Sequence, residues 1–185
     1  MISKKDESYN NFEALPSIAY NCVAHLMDND EEIWRMLAYS DAEALNPNAH
    51  SNLTSEQKRS LIYNGEDDIT SYRVFMDMGM DDAWKQEAAM LRISPVMIMP
   101  DNYVHGKSAM SFEVYSHFKV NHLSNYTTRS LSIMQRLLSV YNGADIPGIG
   151  RLFFDRKASS LCKIVPIGRI PYKGYGLIMC NFLLG

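Results

Sequence analysis

The chain has 185 residues, 46% hydrophobic and 21% charged, with a formal net charge of −3; this supports one sizeable core, with room for a helical appendage. No apolar run nears the roughly 20 residues that cross a bilayer. The polar start, Met1-Ile-Ser-Lys-Lys-Asp-Glu, carries no signal stretch, and Cys22, Cys162 and Cys180 read as free thiols of a cytoplasmically made protein.

Residues 1–11 read as a flexible arm, and residues 12–92 as an acidic helical region with an extended arm. Ser17 is placed to cap a helix running to about Met27, with Ile18, Cys22 and Leu26 on one face and Val23 and Met27 beside them. Asn29 and Asp30 offer the next cap, and Glu31 and Glu32 suit the dipole of a first turn. Ile33, Trp34 and Leu37 follow as the apolar side of a short helix ending near Tyr39. Beyond the break at Asn46-Pro47-Asn48, Thr54-Ser-Glu-Gln57 is a capping box. The helix it opens is expected to carry Leu61 and Ile62 and to stop at Asn64-Gly65. Tyr72 to Met80 reads either as a strand or as an irregular arm, and the segment from Asp81 through Trp84 to Leu91 as a short helix.

Residues 93–185 read as a sheet domain, packed with the helical region as one unit. Ile93 to Met99 is β-branched and bounded by Pro100-Asp-Asn, and Pro95 points to an edge or a strand start. Lys107 to Val120 is a second strand, paired with the first as a hairpin. Its alternation of Met110, Phe112 and Val114 with Ser111, Glu113 and Tyr115 predicts one buried face and one wet face. Asn125 to Asn142 is the clearest helix, capped by Thr127 or Thr128 and ended by Gly143. Leu131, Met134, Leu138 and Tyr141, widened by Leu137, form its apolar stripe, which puts Arg129 and Arg136 on the other side. Asp145-Ile-Pro-Gly-Ile-Gly is a turn, and further strands are expected over residues 151–154, 161–166 and 175–184, the last pinning its end of the chain into the sheet. The expected fold class is α+β: N-terminal helices followed by an antiparallel β-β-α-β-β sheet with one long helix packed on it.

Catalytic patterns are missing from this sequence. Cys22 and His25, or His117 and His122, lack the second ligand pair of a zinc site. The acid pairs Glu31/Glu32, Asp67/Asp68 and Asp81/Asp82 lack the alternating ligands of a calcium loop. Gly148-Ile-Gly150 has no third glycine, and no serine sits in a nucleophile elbow. No enzyme activity, metal or cofactor is therefore expected. Charge carries more information. Residues 1–92 hold 17 Asp and Glu against 8 Lys and Arg, whereas residues 93–185 hold 4 against 10. Such a chain is suited to meeting copies of itself, or a charged partner, head to tail. The candidate contact groups are Arg151, Arg156, Lys157 and Lys163 on the basic side and Glu66, Asp67 and Asp68 on the acidic side. The 12 Met and 11 Tyr fit either interface contacts or a Met-filled core with strand tyrosines.

The order of elements also carries a resemblance. A helical lead and a Thr-x-x-Gln-capped helix ending Leu61-Ile-Tyr-Asn-Gly65 precede a sheet containing Phe112-Glu-Val-Tyr-Ser-His and Gly148-Ile-Gly-Arg-Leu-Phe-Phe. This resembles the neck proteins of tailed bacteriophages: head–tail connectors, tail terminators and ring subunits. The resemblance implies a homo-oligomeric ring in the virion, assembled in the host cytoplasm. Its neighbours would be a portal or adaptor protein and tail proteins. Double-stranded DNA would pass through its lumen, and no membrane is involved. Two other classes compete. A metal-dependent nuclease would use acids near Asp67 to Asp82. A small nucleic-acid-binding protein would use Arg151, Arg156, Lys157, Lys163, Arg169 and Lys173 with Phe112, Tyr115 and Phe118 as stacking aromatics; an isoelectric point near 5.9 opposes it.

Overall fold

Apolar residues at helical spacing near the start of the chain have one place to go, the face of the sheet made by its second half. A computed structural model describes residues 15–66, 68–76, 86–100, 106–147, 150–154, 162–166 and 175–184. Helix α1, Ile18–Asn29, buries Ile18, Cys22, Val23 and Leu26. Ser17 precedes it without capping it. A 3₁₀ turn, Leu15–Ser17, leads straight into α1, so Ser17 already has helical backbone angles. The next cap forms as expected, because Asp30 Oδ1 accepts the Ile33 amide at 2.7 Å. It opens α2, Glu32–Ala38, which buries Ile33, Trp34, Met36 and Leu37. The Trp34 indole donates to the Leu26 carbonyl at 3.2 Å and so fixes α2 against the end of α1.

The capping box is formed in full. Gln57 N donates to Thr54 Oγ1 at 3.2 Å and Thr54 N to Gln57 Oε1 at 2.8 Å. Its helix, α3, is only Ser55–Ser60. Leu61 and Ile62 leave the helix because their backbone is claimed by a strand. Val74 N donates to Leu61 O, Tyr63 N donates to Val74 O, and Ile62 bridges Val74 in parallel.

The strands are β1 (Val74–Phe75), β2 (Ala89–Pro100), β3 (Gly106–His117), β4 (Asp145–Ile146), β5 (Gly150–Phe154), β6 (Cys162–Pro166) and β7 (Tyr175–Leu184). They lie in the order β1-β2-β3-β7-β5-β4, with β6 also on β7. All pairs are antiparallel except β1 with β2. The class is α+β as expected. Three local expectations are corrected. The segment before residue 93 is strand from Ala89, not helix to Leu91. Pro95 lies inside β2, at a register shift between Pro95 and Met97 and beyond the short reach of β1, where the missing amide costs no ladder bond. The turn after Asp145 is the end of a small hairpin, with Ile146 opposite Gly150. β7 lies between β3 and the β5 and β6 strands.

Strand β3 differs most from expectation. Met110, Phe112 and Val114 face the main core, but Ser111, Glu113 and Tyr115 are buried as well. Tyr115 joins a second cluster with Tyr72, Phe75 and Met90, so this sheet has no wet face at that point.

Helix α4, Arg129–Tyr141, packs on the main face and starts after Thr128. Its buried stripe is Ile133, Met134, Leu137 and Tyr141, with Arg129 and Ser130, while Leu131 is 48% exposed. The helix is thus rotated from the expected stripe. Arg129, expected outside, is 0% exposed. Tyr141 sits at the centre of the packing, its ring 4.5 Å from that of Phe112 and its hydroxyl donating to Cys22 O at 2.7 Å.

Candidate subunit interface

Glu66 and Asp68 lie in the turn that precedes β1, at one end of the strand order. Both are exposed and held by local bonds. Glu66 Oε2 accepts the Tyr72 hydroxyl at 2.9 Å and its Oε1 accepts Asn64 Nδ2 at 3.1 Å. Asp68 Oδ1 accepts both the hydroxyl and the amide of Thr70, which lowers its carboxyl pKa below the ordinary value. Asp67 lies outside the described residues, as do Asp81 and Asp82.

Arg151 lies on β5, towards the other end of the strand order, with β2, β3 and β7 between it and β1. It is exposed, its Nε donates to Gly143 O at 2.9 Å, and its guanidinium lies 5.5 Å from the centre of the Phe153 ring. Lys163 is on β6, in register with Met179 of β7. Arg156, Lys157, Arg169 and Lys173 lie outside the described residues. The topology therefore sets Glu66 and Asp68 apart from Arg151 and Lys163, as a head-to-tail contact requires.

Part of the charge asymmetry is consumed inside the chain. Arg136 of the basic half reaches back to Asp30 at 2.7 Å and to Glu32 at 2.8 Å. Lys119 pairs with Glu87. Lys58, itself buried, meets Glu31 at 2.5 Å and the Met27 carbonyl at 2.7 Å. Asp41 meets His50 at 2.8 Å. Desolvation raises the Asp41 carboxyl, but the bonds from His50 and the Glu43 amide outweigh it, and its pKa lies below the ordinary value.

Two buried charged centres escaped the sequence. Glu113, 2% exposed, has both carboxylate oxygens 2.5 Å from Arg92 Nη2 and accepts the Tyr115 hydroxyl as well. Burial, then that bond to a carboxylate, raises the Tyr115 phenol above its ordinary range. A Glu directly opposite an Arg across a hairpin was the available signal. The second is Arg129. Its Nε donates to Val120 O at 2.7 Å, and its terminal nitrogens donate to the carbonyls of Met36, Tyr39 and Asp41. Burial lowers its pKa to about 10, against a partly offsetting pull from Asp41.

The remaining candidates separate. Phe112 and Tyr115 are buried on opposite faces of β3, so they offer no common platform to a base. Among the described residues no three His, Cys, Asp or Glu gather as metal ligands, and no helix is long and apolar enough to cross a membrane. Cys22 is fully buried, and desolvation pushes its thiol up to about 12. Cys22 is accordingly expected to resist alkylation at pH 8 in the native protein and to react fully in urea. Peptide mass mapping after iodoacetamide checks this, and equal labelling in both states would contradict the packing of α1.

The arrangement defines an α+β protein with Glu66 and Asp68 near one end of the strand order and Arg151, with Asp145 opposite it on β4, near the other. The chain belongs to the YomW family, whose model matches residues 30–179. That name has the form of a gene from the SPβ region of a Bacillus phage, and the protein is phage-associated. No curated protein and no solved structure matches the chain.

Proposed function

We propose that the protein is a structural, non-enzymatic component of a tailed phage that forms a ring at the head-to-tail junction. There it acts as connector, adaptor or tail terminator around the channel through which double-stranded DNA passes. Its neighbours along the axis are a portal or adaptor protein on one side and tail proteins on the other. The observation that carries this reading is the placement of Glu66 and Asp68 before β1 and of Arg151 on β5, across the width of the sheet. Repeated contact of one such surface with the other closes a ring when the rotation between copies permits it. The charges supply register and discrimination more than affinity.

The test is a triple charge reversal, Arg151→Glu with Arg156→Glu and Lys157→Glu. Mass photometry of the wild-type chain should show closed particles of one size, and the variant should remain single chains. It should still fold with one cooperative urea transition, since Arg151 is exposed. A variant that assembles as the wild type does sinks the charge-matched ring.

A further inference from the structure

The segment between β3 and α4 ends in a tight hairpin. Leu123 N donates to Thr127 O at 3.0 Å and Tyr126 N to Leu123 O at 3.1 Å, and His122 bridges Thr128. Its base is tied into the protein. Arg129 N donates to Asn121 O at 2.7 Å, Ser124 N donates to Ala42 O at 2.9 Å, and Leu123 is buried. At the tip stands Tyr126, with φ of 62°, alone among the described non-glycine residues in having a positive φ. It is also 100% exposed. Glycine or asparagine fits this backbone without strain, and a bulky aromatic does not. The left-handed backbone closes the hairpin, since the Tyr126 amide donates to Leu123 O, but glycine or asparagine would close it at lower cost. The ring itself meets nothing inside the chain, so the choice of tyrosine points to a contact outside it.

We propose that Tyr126 is the anchor by which one copy of this chain grips the next, and that its seat is the Arg151–Phe153 stretch of β5 in that second copy. The proposal rests on the ring reading and names its contact. Rigid tyrosines on preorganised loops are the side chains that dominate interface energies. The hairpin tip is flanked by acids, because Ala42, whose carbonyl holds Ser124, lies between the exposed Asp41 and Glu43. The seat supplies a ring and a cation, with the exposed Asp145 of β4 opposite Arg151. Phe153, 47% exposed, shares its side of β5 with Arg151, opposite the buried Leu152. A tyrosine ring can stack there against both the phenyl ring and the guanidinium, while Glu43 faces the cation; Asp41 is already paired with His50. A nucleic acid is disfavoured as the occupant, because exposed carboxylates flank the tip.

The experiment is sedimentation velocity of the full chain, as wild type, Tyr126→Gly and Phe153→Ser. Tyr126→Gly removes the ring and relieves the backbone, so its melting temperature should equal or exceed the wild-type value. Its self-association should weaken by at least tenfold, and Phe153→Ser should weaken it similarly. A photoreactive phenylalanine at position 126 should cross-link to a peptide containing residues 151–153 of another chain. Wild-type assembly that survives Tyr126→Gly, or cross-links that map elsewhere, overturns this contact and leaves the ring reading standing. A wild-type chain that stays monomeric at high concentration overturns both.

Discussion

Replacing Arg129 with methionine should cost the fold about 3–5 kcal/mol, the range for breaking a fully buried charged network. The guanidinium is the shared donor for four carbonyls gathered at the end of α2. Met36 O and Tyr39 O belong to its last turn and exit, Asp41 O to the following turn, and Val120 O to the 3₁₀ turn after β3. Helix ends leave such carbonyls orphaned unless something caps them. A cation is favoured there by the helix dipole. Methionine fills much of the volume and donates nothing, so the buried carbonyls lose their bonds without regaining water. Arg129→Lys keeps the charge, but one ammonium cannot span all the acceptors, and roughly half the loss should remain. Urea unfolding followed by circular dichroism reads both. A loss below about 1 kcal/mol for methionine would show that the carbonyls find other donors.

The second large effect is expected at Glu113. Glu113→Leu deprives Arg92 and the Tyr115 hydroxyl of a shared carboxylate under the Tyr72–Phe75–Met90 cluster. A loss of about 2–4 kcal/mol follows from burying charged and polar partners without that acceptor. The double variant Arg92→Leu with Glu113→Leu should be less destabilised than the two single losses summed, by about 1–3 kcal/mol. Strict additivity would show that the pair does not act as a unit. Because the carboxylate also serves Tyr115, Tyr115→Phe should relieve part of the penalty in the Glu113→Leu background.

These two centres also show where the sequence was legible. The Thr54–Gln57 box is decided by four consecutive residues, and it formed as read. The helix it opens is shorter than the local pattern implies, because Leu61 and Ile62 answer to Val74, twelve residues beyond Ile62. The existence of α4 follows from its own periodicity, but its rotation follows from carbonyls about ninety residues earlier in the chain. A local pattern assigns an arginine to solvent by default, and a ring of distant carbonyls overrides that default. In β3, Ser111, Glu113 and Tyr115 have the look of a wet face. Arg92 across the hairpin and the β1 segment make burial possible.

The same holds for the candidate interface. The unequal charge of the two halves is visible by counting. Which charges are spent internally is not, since Arg136 and Asp30 are 106 residues apart. Arg151 keeps its exposure because β5 turns it away from the core side occupied by Leu152. Tyr126 gave no signal in the sequence, where Asn125 to Asn142 reads as one helix with Thr127 or Thr128 as its cap. Only its backbone angle and full exposure mark it.

The most direct measurement is the location of this chain in phage grown from its native source. Lysate is fractionated on a density gradient and the chain is quantified in each fraction by mass spectrometry. A neck ring predicts co-migration with DNA-filled particles at a fixed, low copy number per particle. Recovery of the chain only in the low-mass soluble pool would contradict it.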